Sequence, residues 1–221
     1  MNTPTQDALR HTIKSGDVLI TDAEIACLAH YARKASDAAE IGAGFGVMTG
    51  ILLATLHRSA HRSAHLLSID PFLPDSMNPN LHATQQQCAN NALAIASWLR
   101  PDAMKDIVWA LRATTSAQAA QDHVSTLDLI VIDGDHHYDA VLQDFQLWSP
   151  KLRTDGYILI HDSRRLADAP NGAYAQGWPG PTDFIERYIK TQQHDWWRVC
   201  DTAYSFTVIR RHSFHEEEPC D

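Results

Sequence analysis

Residues 38–56 constrain the fold of this chain more than any other stretch: Ala38-Ala-Glu-Ile41 runs into Gly42-Ala-Gly-Phe-Gly46, and the mostly apolar Val47–Leu56 follows. Three alternating glycines permit backbone angles and close approaches closed to other residues. The apolar stretch beyond them is of helical length and has to be buried. Together they predict a strand, a glycine turn and a helix packed on a sheet.

The alternation continues downstream. His65-Leu-Leu-Ser-Ile-Asp70 is a second short apolar run, stopped by Pro71, and a loop rich in Pro and Asn extends through Asn80. A helix follows over about Ala83–Leu99, closed by Pro101. Further strands are predicted at Ile107–Leu111, Leu127–Ile132 and Gly156–Ile160. Helices are predicted at Ser116–Asp122 and Tyr138–Leu152, the latter made irregular by Pro150. Upstream, Thr21-Asp-Ala-Glu24 is a capping box that opens a helix through Ile25, Leu28, Ala29 and Ala32. At the far end, Thr182–Gln193 reads as a helix. Trp196–Cys200 and Tyr204–Ile209 read as strands so close in sequence that antiparallel pairing is easiest. The predicted fold class is α/β: a doubly wound, mostly parallel seven-stranded Rossmann-like sheet with an antiparallel final strand. At 221 residues one domain is expected over 1–211, with an N-terminal helical extension and a disordered tail from 212 to 221.

Charge and cysteine usage narrow the partners. A formal net charge of -9 without a basic run argues against nucleic acid, whose phosphates call for clustered Lys and Arg. Cys27, Cys88, Cys200 and Cys220 are widely separated, which suits reduced thiols. With no leader-like N-terminus and no bilayer-length apolar run, the expectation is a cytoplasmic protein without membrane partners. Exposed strand edges and the N-terminal helix could support a homodimer.

Polar residues cluster where the predicted strands end. Asp70 follows the second strand, Asp133-Gly-Asp-His-His137 the fourth and His161-Asp162 the fifth. In an open α/β sheet these ends share one edge, where ligands bind. The glycine turn aims a helix N-terminus at that edge, and Asp70, 24 residues past Gly46, can accept ribose hydroxyls. Together they indicate a nucleoside-containing cofactor. A dinucleotide fingerprint Gly-x-Gly-x-x-Gly would place its third glycine at Val47, which disfavours a dinucleotide-dependent oxidoreductase.

The pattern Glu40-x-Gly42-x-Gly44-x-Gly46, with Asp70 beyond it, resembles motif I and the ribose-binding acid of class I S-adenosylmethionine-dependent methyltransferases. Ile132-Asp-Gly-Asp-His-His-Tyr-Asp-Ala-Val141, Trp148-Ser-Pro150, Asp155-Gly156 and His161-Asp162 extend the likeness. They resemble the methyltransferase family 24 group, related to metal-dependent O-methyltransferases of catechol type and to enzymes acting on sugar hydroxyls. The likeness covers about Ser36–Ser163. It implies S-adenosylmethionine as cofactor, with Glu40 facing the methionine amino group, Gly42, Gly44 and Gly46 along methionine and ribose, Asp70 on the ribose and Asp133 beside the cofactor.

It also implies a divalent cation on Asp133 and Asp162 and His136 as general base, with Asp135 and His137 competing for those roles. Oxygen ligands suit Mg²⁺. His161 stands where catechol-type enzymes carry an acid, and if it binds directly Mn²⁺, Fe²⁺ or Zn²⁺ becomes more plausible. The implied acceptor is a small hydroxylated molecule: a phenol, a sugar or a natural product. Leu166–Pro181 is a candidate lid with Tyr174 and Trp178 as apolar walls, while Asp139 and Asp144 read as solvated or capping residues of a helix. A catalytically silent protein that keeps the cofactor pocket for regulation is the alternative.

Overall fold

The computed structural model describes residues 5–12, 20–58, 62–74, 83–164, 178–191 and 197–211. Its centre is β1 (Asp37–Ile41), flanked by β2 (Ala64–Ile69) and β4 (Leu127–Ile132). β3 (Ile107–Arg112), β5 (Leu152–Ile160), β6 (Trp197–Ala203) and β7 (Phe206–Arg211) complete a seven-stranded sheet in the order β3-β2-β1-β4-β5-β7-β6. β1 to β5 run parallel, and β7 is antiparallel to both β5 and β6. This is the expected doubly wound architecture with its antiparallel final strand.

Helices cover both faces. α1 (Gln6–Thr12), α2 (Asp22–Ala32), α3 (Val47–Thr55) and α4 (Gln85–Leu99) share one core, with Leu28, Ile51, Leu52 and Ile95 fully buried. α5 (Ser116–Asp122) and α6 (Tyr138–Trp148) serve the opposite core through Ala119, Phe145 and Trp148, joined by Phe184 just after α7 (Pro179–Asp183). Every residue of α3 is buried, as the apolar run after the glycine turn requires. Thr21, Thr84 and Thr115 each close a capping box that fixes where α2, α4 and α5 begin.

Some boundaries differ from the sequence-based expectation. α6 ends at Trp148 and a 3₁₀ turn at Ser149–Lys151 leads into β5, which starts at Leu152 rather than Gly156. Residues 201–203 belong to β6, because a register shift between Val199 and Asp201 lets the strand run on to a turn at Tyr204, whose φ is +50°. The last helix starts earlier, at Pro179, and continues as a π-helical turn over Phe184–Ile189. α1 was not anticipated: it precedes the helix expected from Thr21, and among its described side chains Leu9 is buried, which gives no periodic signal. The proposed tail lies outside the described residues.

The parallel ladder continues one residue beyond the strands. Gly42 N–H donates to Ile69 O (2.9 Å), Asp133 N–H to Ile41 O (2.8 Å), Asp70 N–H to Arg112 O (3.1 Å) and His161 N–H to Ile132 O (3.0 Å). Those bonds hold four of the expected site residues in a row along one edge of the sheet.

Candidate functional site

A cavity of about 590 Å³ opens at that edge, bounded by the glycine turn, Asp70–Pro74, Thr115–Ser116, Asp133–His136, the inner side of α6 and His161–Asp162. Gly42 sits at φ +89°, and a Cβ there would lie 2.0 Å from Asp133 O, so only glycine lets the β1 turn pass this close to the end of β4. Gly44 also lines the cavity. Gly46 does other work: at φ +80° it caps α3, and a Cβ would lie 2.3 Å from Cys88 O on α4.

Asp70 Oδ2 accepts from Gly44 N–H (2.8 Å) and Oδ1 from Phe72 N–H (2.6 Å). Those bonds aim the carboxylate and leave lone pairs for further donors. Glu40 lies beneath the turn, fully buried and behind the cavity wall. Its Oε2 accepts from Thr49 Oγ1 (2.7 Å), while Oε1 has no hydrogen-bond partner. Burial pushes its carboxyl up to about 7, against the pull of Thr49 and Ser68.

On the β4–β5 side, one ligand atom each from Asp133, His136 and Asp162 lie within 4.8 Å of one another. His136 Nε2 is 3.5 Å from Asp133 Oδ1 and 3.7 Å from Asp162 Oδ2, and it is buried without a hydrogen bond. Trp178 stacks on the His136 ring with centroids 5.0 Å apart and planes 10° apart, and its backbone N–H donates to Asp162 O (3.2 Å). Asp162 adopts φ +51°, a conformation uncommon outside glycine and tolerated best by Asn and Asp.

His161 faces elsewhere. Its Nδ1 bonds Asp133 Oδ1 at 2.8 Å, and Nε2 is 3.4 Å from Glu24 Oε1. Glu24 is itself held by Ser205 N–H (3.1 Å), by the Ser205 hydroxyl and by Thr21. Burial alone would lower the His161 pKa, but the charges of Asp133 and Asp162 raise it well above the usual imidazole range. Burial would likewise raise Asp133, yet His161 and His136 bring it down to about 2. His136 is raised by the same carboxylates against its burial, and Asp162 is raised by burial in excess of its imidazole partners.

The structure thus brings together Asp70, Asp133, His136, Asp162 and the first two glycines around one cavity, with His161 on its wall bridging Asp133 to Glu24. Asp135 reaches the cavity and bonds His137 Nδ1 (2.6 Å), but His137 turns to the surface. Asp144 departs from expectation: it is buried in the cavity wall rather than solvated. Its spacing from Val141, Phe145 and Trp148 puts it on the inward face of α6, a helical signal present in the sequence. Glu24 had no such signal, because its partners lie 137 and 181 residues away. Tyr174 lies outside the described residues, whereas Trp178 covers His136 from one side.

The pattern describing a methyltransferase domain matches residues 39–163, more than half of the chain, and the chain belongs to that family of class I S-adenosylmethionine-dependent methyltransferases. Among solved structures it resembles the O-methyltransferase from Bacillus cereus, crystallised with S-adenosylhomocysteine, at 15% identity and a TM-score of 0.57, covering 95% of this chain and 92% of that one. TomG from Streptomyces achromogenes, an O-methyltransferase of tomaymycin synthesis solved with S-adenosylmethionine, matches at 14% identity and a TM-score of 0.56, covering 89% and 83%. The S-adenosylhomocysteine-bound methyltransferase PaMTH1 from Podospora anserina matches at 15% and 0.55, covering 94% and 86%. At these identities the structural likeness speaks to the fold. No curated protein matches the chain. No helix among the described residues is long and apolar enough to cross a membrane.

Proposed function

We propose that this protein is a divalent-cation-assisted O-methyltransferase that moves the methyl group of S-adenosylmethionine to a hydroxyl of a small molecule. The observation that carries this reading is the Asp133–His136–Asp162 cluster, placed on the same cavity as the glycine turn and Asp70. S-adenosylmethionine supplies a methyl group already activated by its sulfonium, which leaves the chain to align the reactants and ease loss of the hydroxyl proton.

The residues fit both groups. Gly42 and Gly44 leave the turn bare for the methionine and ribose, Asp70 has acceptor capacity for ribose hydroxyls, and the buried, unpaired Oε1 of Glu40 places negative potential beneath the methionine end. The orphaned Nε2 of His136, facing two carboxylates, matches a cation site. A bound divalent cation would lower the pKa of the acceptor hydroxyl and orient its oxygen.

We assign His136 to the donor set rather than to the base role, because its single lone pair at Nε2 already lies within 3.7 Å of both carboxylates. His161 acts behind them, holding Asp133 through Nδ1. Trp178 keeps the imidazole plane of His136 fixed and screens it from water. Two carboxylates with one imidazole suit Mn²⁺, Fe²⁺ or Zn²⁺ better than Mg²⁺.

Calorimetric titration with S-adenosylmethionine, followed by methyl transfer from labelled cofactor to phenolic and sugar hydroxyls with and without Mn²⁺, tests the reading. Cofactor binding and metal-dependent transfer are the expected results. Binding of NAD in place of S-adenosylmethionine, or transfer unaffected by chelators, would overturn it.

A further inference from the structure

Glu24 turns its two oxygens to different partners. Oε2 accepts from Thr21 N–H (2.7 Å) and from the Thr21 hydroxyl (2.7 Å), which closes the capping box of α2. Oε1 points into the core, where it accepts from Ser205 N–H (3.1 Å) and from the Ser205 hydroxyl and lies 3.4 Å from His161 Nε2. Only the first set belongs to helix capping.

α4 and α5 show what capping alone requires. Their boxes are closed by Gln87 and Gln118, neutral side chains that keep some exposure to solvent. Glu24 is a carboxylate only 1% exposed. Burying that charge is costly, and a glutamine would close the same box without it.

The two inward contacts lead to the two carboxylates of the cation cluster. His161 is held at both ring nitrogens, with Nε2 facing Glu24 and Nδ1 bonded to Asp133 Oδ1 at 2.8 Å. An imidazole held at one nitrogen can still turn; one held at both cannot turn without losing a contact. Ser205 Oγ gives its hydrogen to Glu24 and accepts from Asp162 N–H (3.2 Å), while Ser205 O accepts from Ser163 N–H (3.0 Å). Those bonds fix the backbone before and after the left-handed Asp162.

We propose that Glu24 is a positioning residue for the cation cluster, aiming Asp133 through His161 and steadying Asp162 through Ser205. This rests on the cation assigned to that cluster above. Glu24 does not itself line the cavity, so its influence on the site passes through those two residues. Removing such a support typically costs about 10- to 100-fold in metal affinity.

Glu24→Gln separates capping from positioning. Gln87 and Gln118 show that an amide side chain closes such a box. With its oxygen on Thr21, the amide nitrogen would meet the two Ser205 donors with hydrogens of its own. The cap is kept and the inward contacts are lost.

The experiment titrates Mn²⁺ and, separately, S-adenosylhomocysteine into the wild-type protein, Glu24→Gln and Ser205→Ala, with thermal melting to verify that each variant is folded. Glu24→Gln is expected to weaken Mn²⁺ binding by about tenfold or more and to leave S-adenosylhomocysteine within about threefold of the wild type. Ser205→Ala keeps the backbone donor and loses the hydroxyl, so the same split is expected with a smaller loss. A folded Glu24→Gln whose Mn²⁺ affinity stays within about threefold of the wild type would make Glu24 a cap alone and overturns the proposal. Equal losses for Mn²⁺ and S-adenosylhomocysteine would make it a general support of the fold and overturn the proposal as well. If Glu24→Gln does not fold, Ser205→Ala decides by the same split. A wild type that binds S-adenosylhomocysteine but not Mn²⁺ removes the cation reading itself, and this proposal with it.

Discussion

One cavity holds buried carboxylates in two opposite electrostatic states. In the Asp133–His136–Asp162 cluster, the proposed metal end, Asp133 is driven down to about 2 despite burial, because His161 and His136 sit against it. In the α6 wall and beneath the turn, Asp144 and Glu40 are pushed up by burial to about 6 and about 7, with only hydroxyl partners. The first state stores its positive charge in imidazoles, which a cation can replace. The second awaits donors that the protein itself does not provide. Carboxylates of ordinary intrinsic acidity are thus held by their neighbours in two states, one suited to the cation proposed for the site and the other to a ligand that brings its own hydrogen-bond donors.

The sharpest way to break this contrast is to remove the ionised acid. Asp133→Asn should lower Mn²⁺ affinity by at least about 100-fold, since replacing a direct ligand costs no less than disturbing its supports. Cofactor binding at the other end should change far less. Parallel titrations of Mn²⁺ and of S-adenosylhomocysteine separate the two, and equal losses in both would show that the ends are not independent.

A second prediction concerns protons at the metal end. His136 has a pKa above the ordinary 6.5, and a cation must displace that proton to reach Nε2. Apparent Mn²⁺ affinity should therefore rise about tenfold per pH unit from pH 6 upward and level off once the pH passes the raised pKa of His136. Asp133, already ionised throughout that range, adds nothing to the slope. A flat profile in calorimetric titrations would remove His136 from the donor set.

Much of this contrast was legible in the sequence, and its gaps have physical causes. Strand ends rich in Gly, Asp and His mark the edge of a parallel sheet, so Gly42, Asp70, Asp133 and Asp162 could be placed before any coordinates. The pairing of His161 was not legible, because Glu24 reaches it from a helix 137 residues upstream and local spacing carries no such information. Glu24 does satisfy a local rule, the capping box with Thr21, and that rule conceals its second contact. Asp144 is different: helical periodicity already put it on the buried side of α6, but an acid in a helix is by default assigned to solvent.

A third prediction tests the uncompensated acid most directly. Glu40 titrates at about 7 in the folded chain against an ordinary 4.5, so its contribution to folding is complete below pH 4.5 and is lost as pH rises through 7. Glu40→Gln keeps the shape and the partners Thr49 and Ser68 but does not titrate. Without ligand, the variant should match the wild type near pH 4.5 and exceed it by up to about 3 kcal/mol above pH 7, as measured by urea denaturation across that range. Saturating S-adenosylhomocysteine should shrink or reverse the difference at pH 8, because the ammonium of its homocysteine end favours the charged Glu40 that the variant lacks. A stability gain independent of both pH and ligand would mean that Glu40 is only an ill-packed side chain. The contrast between the two ends would then rest on Asp144 alone.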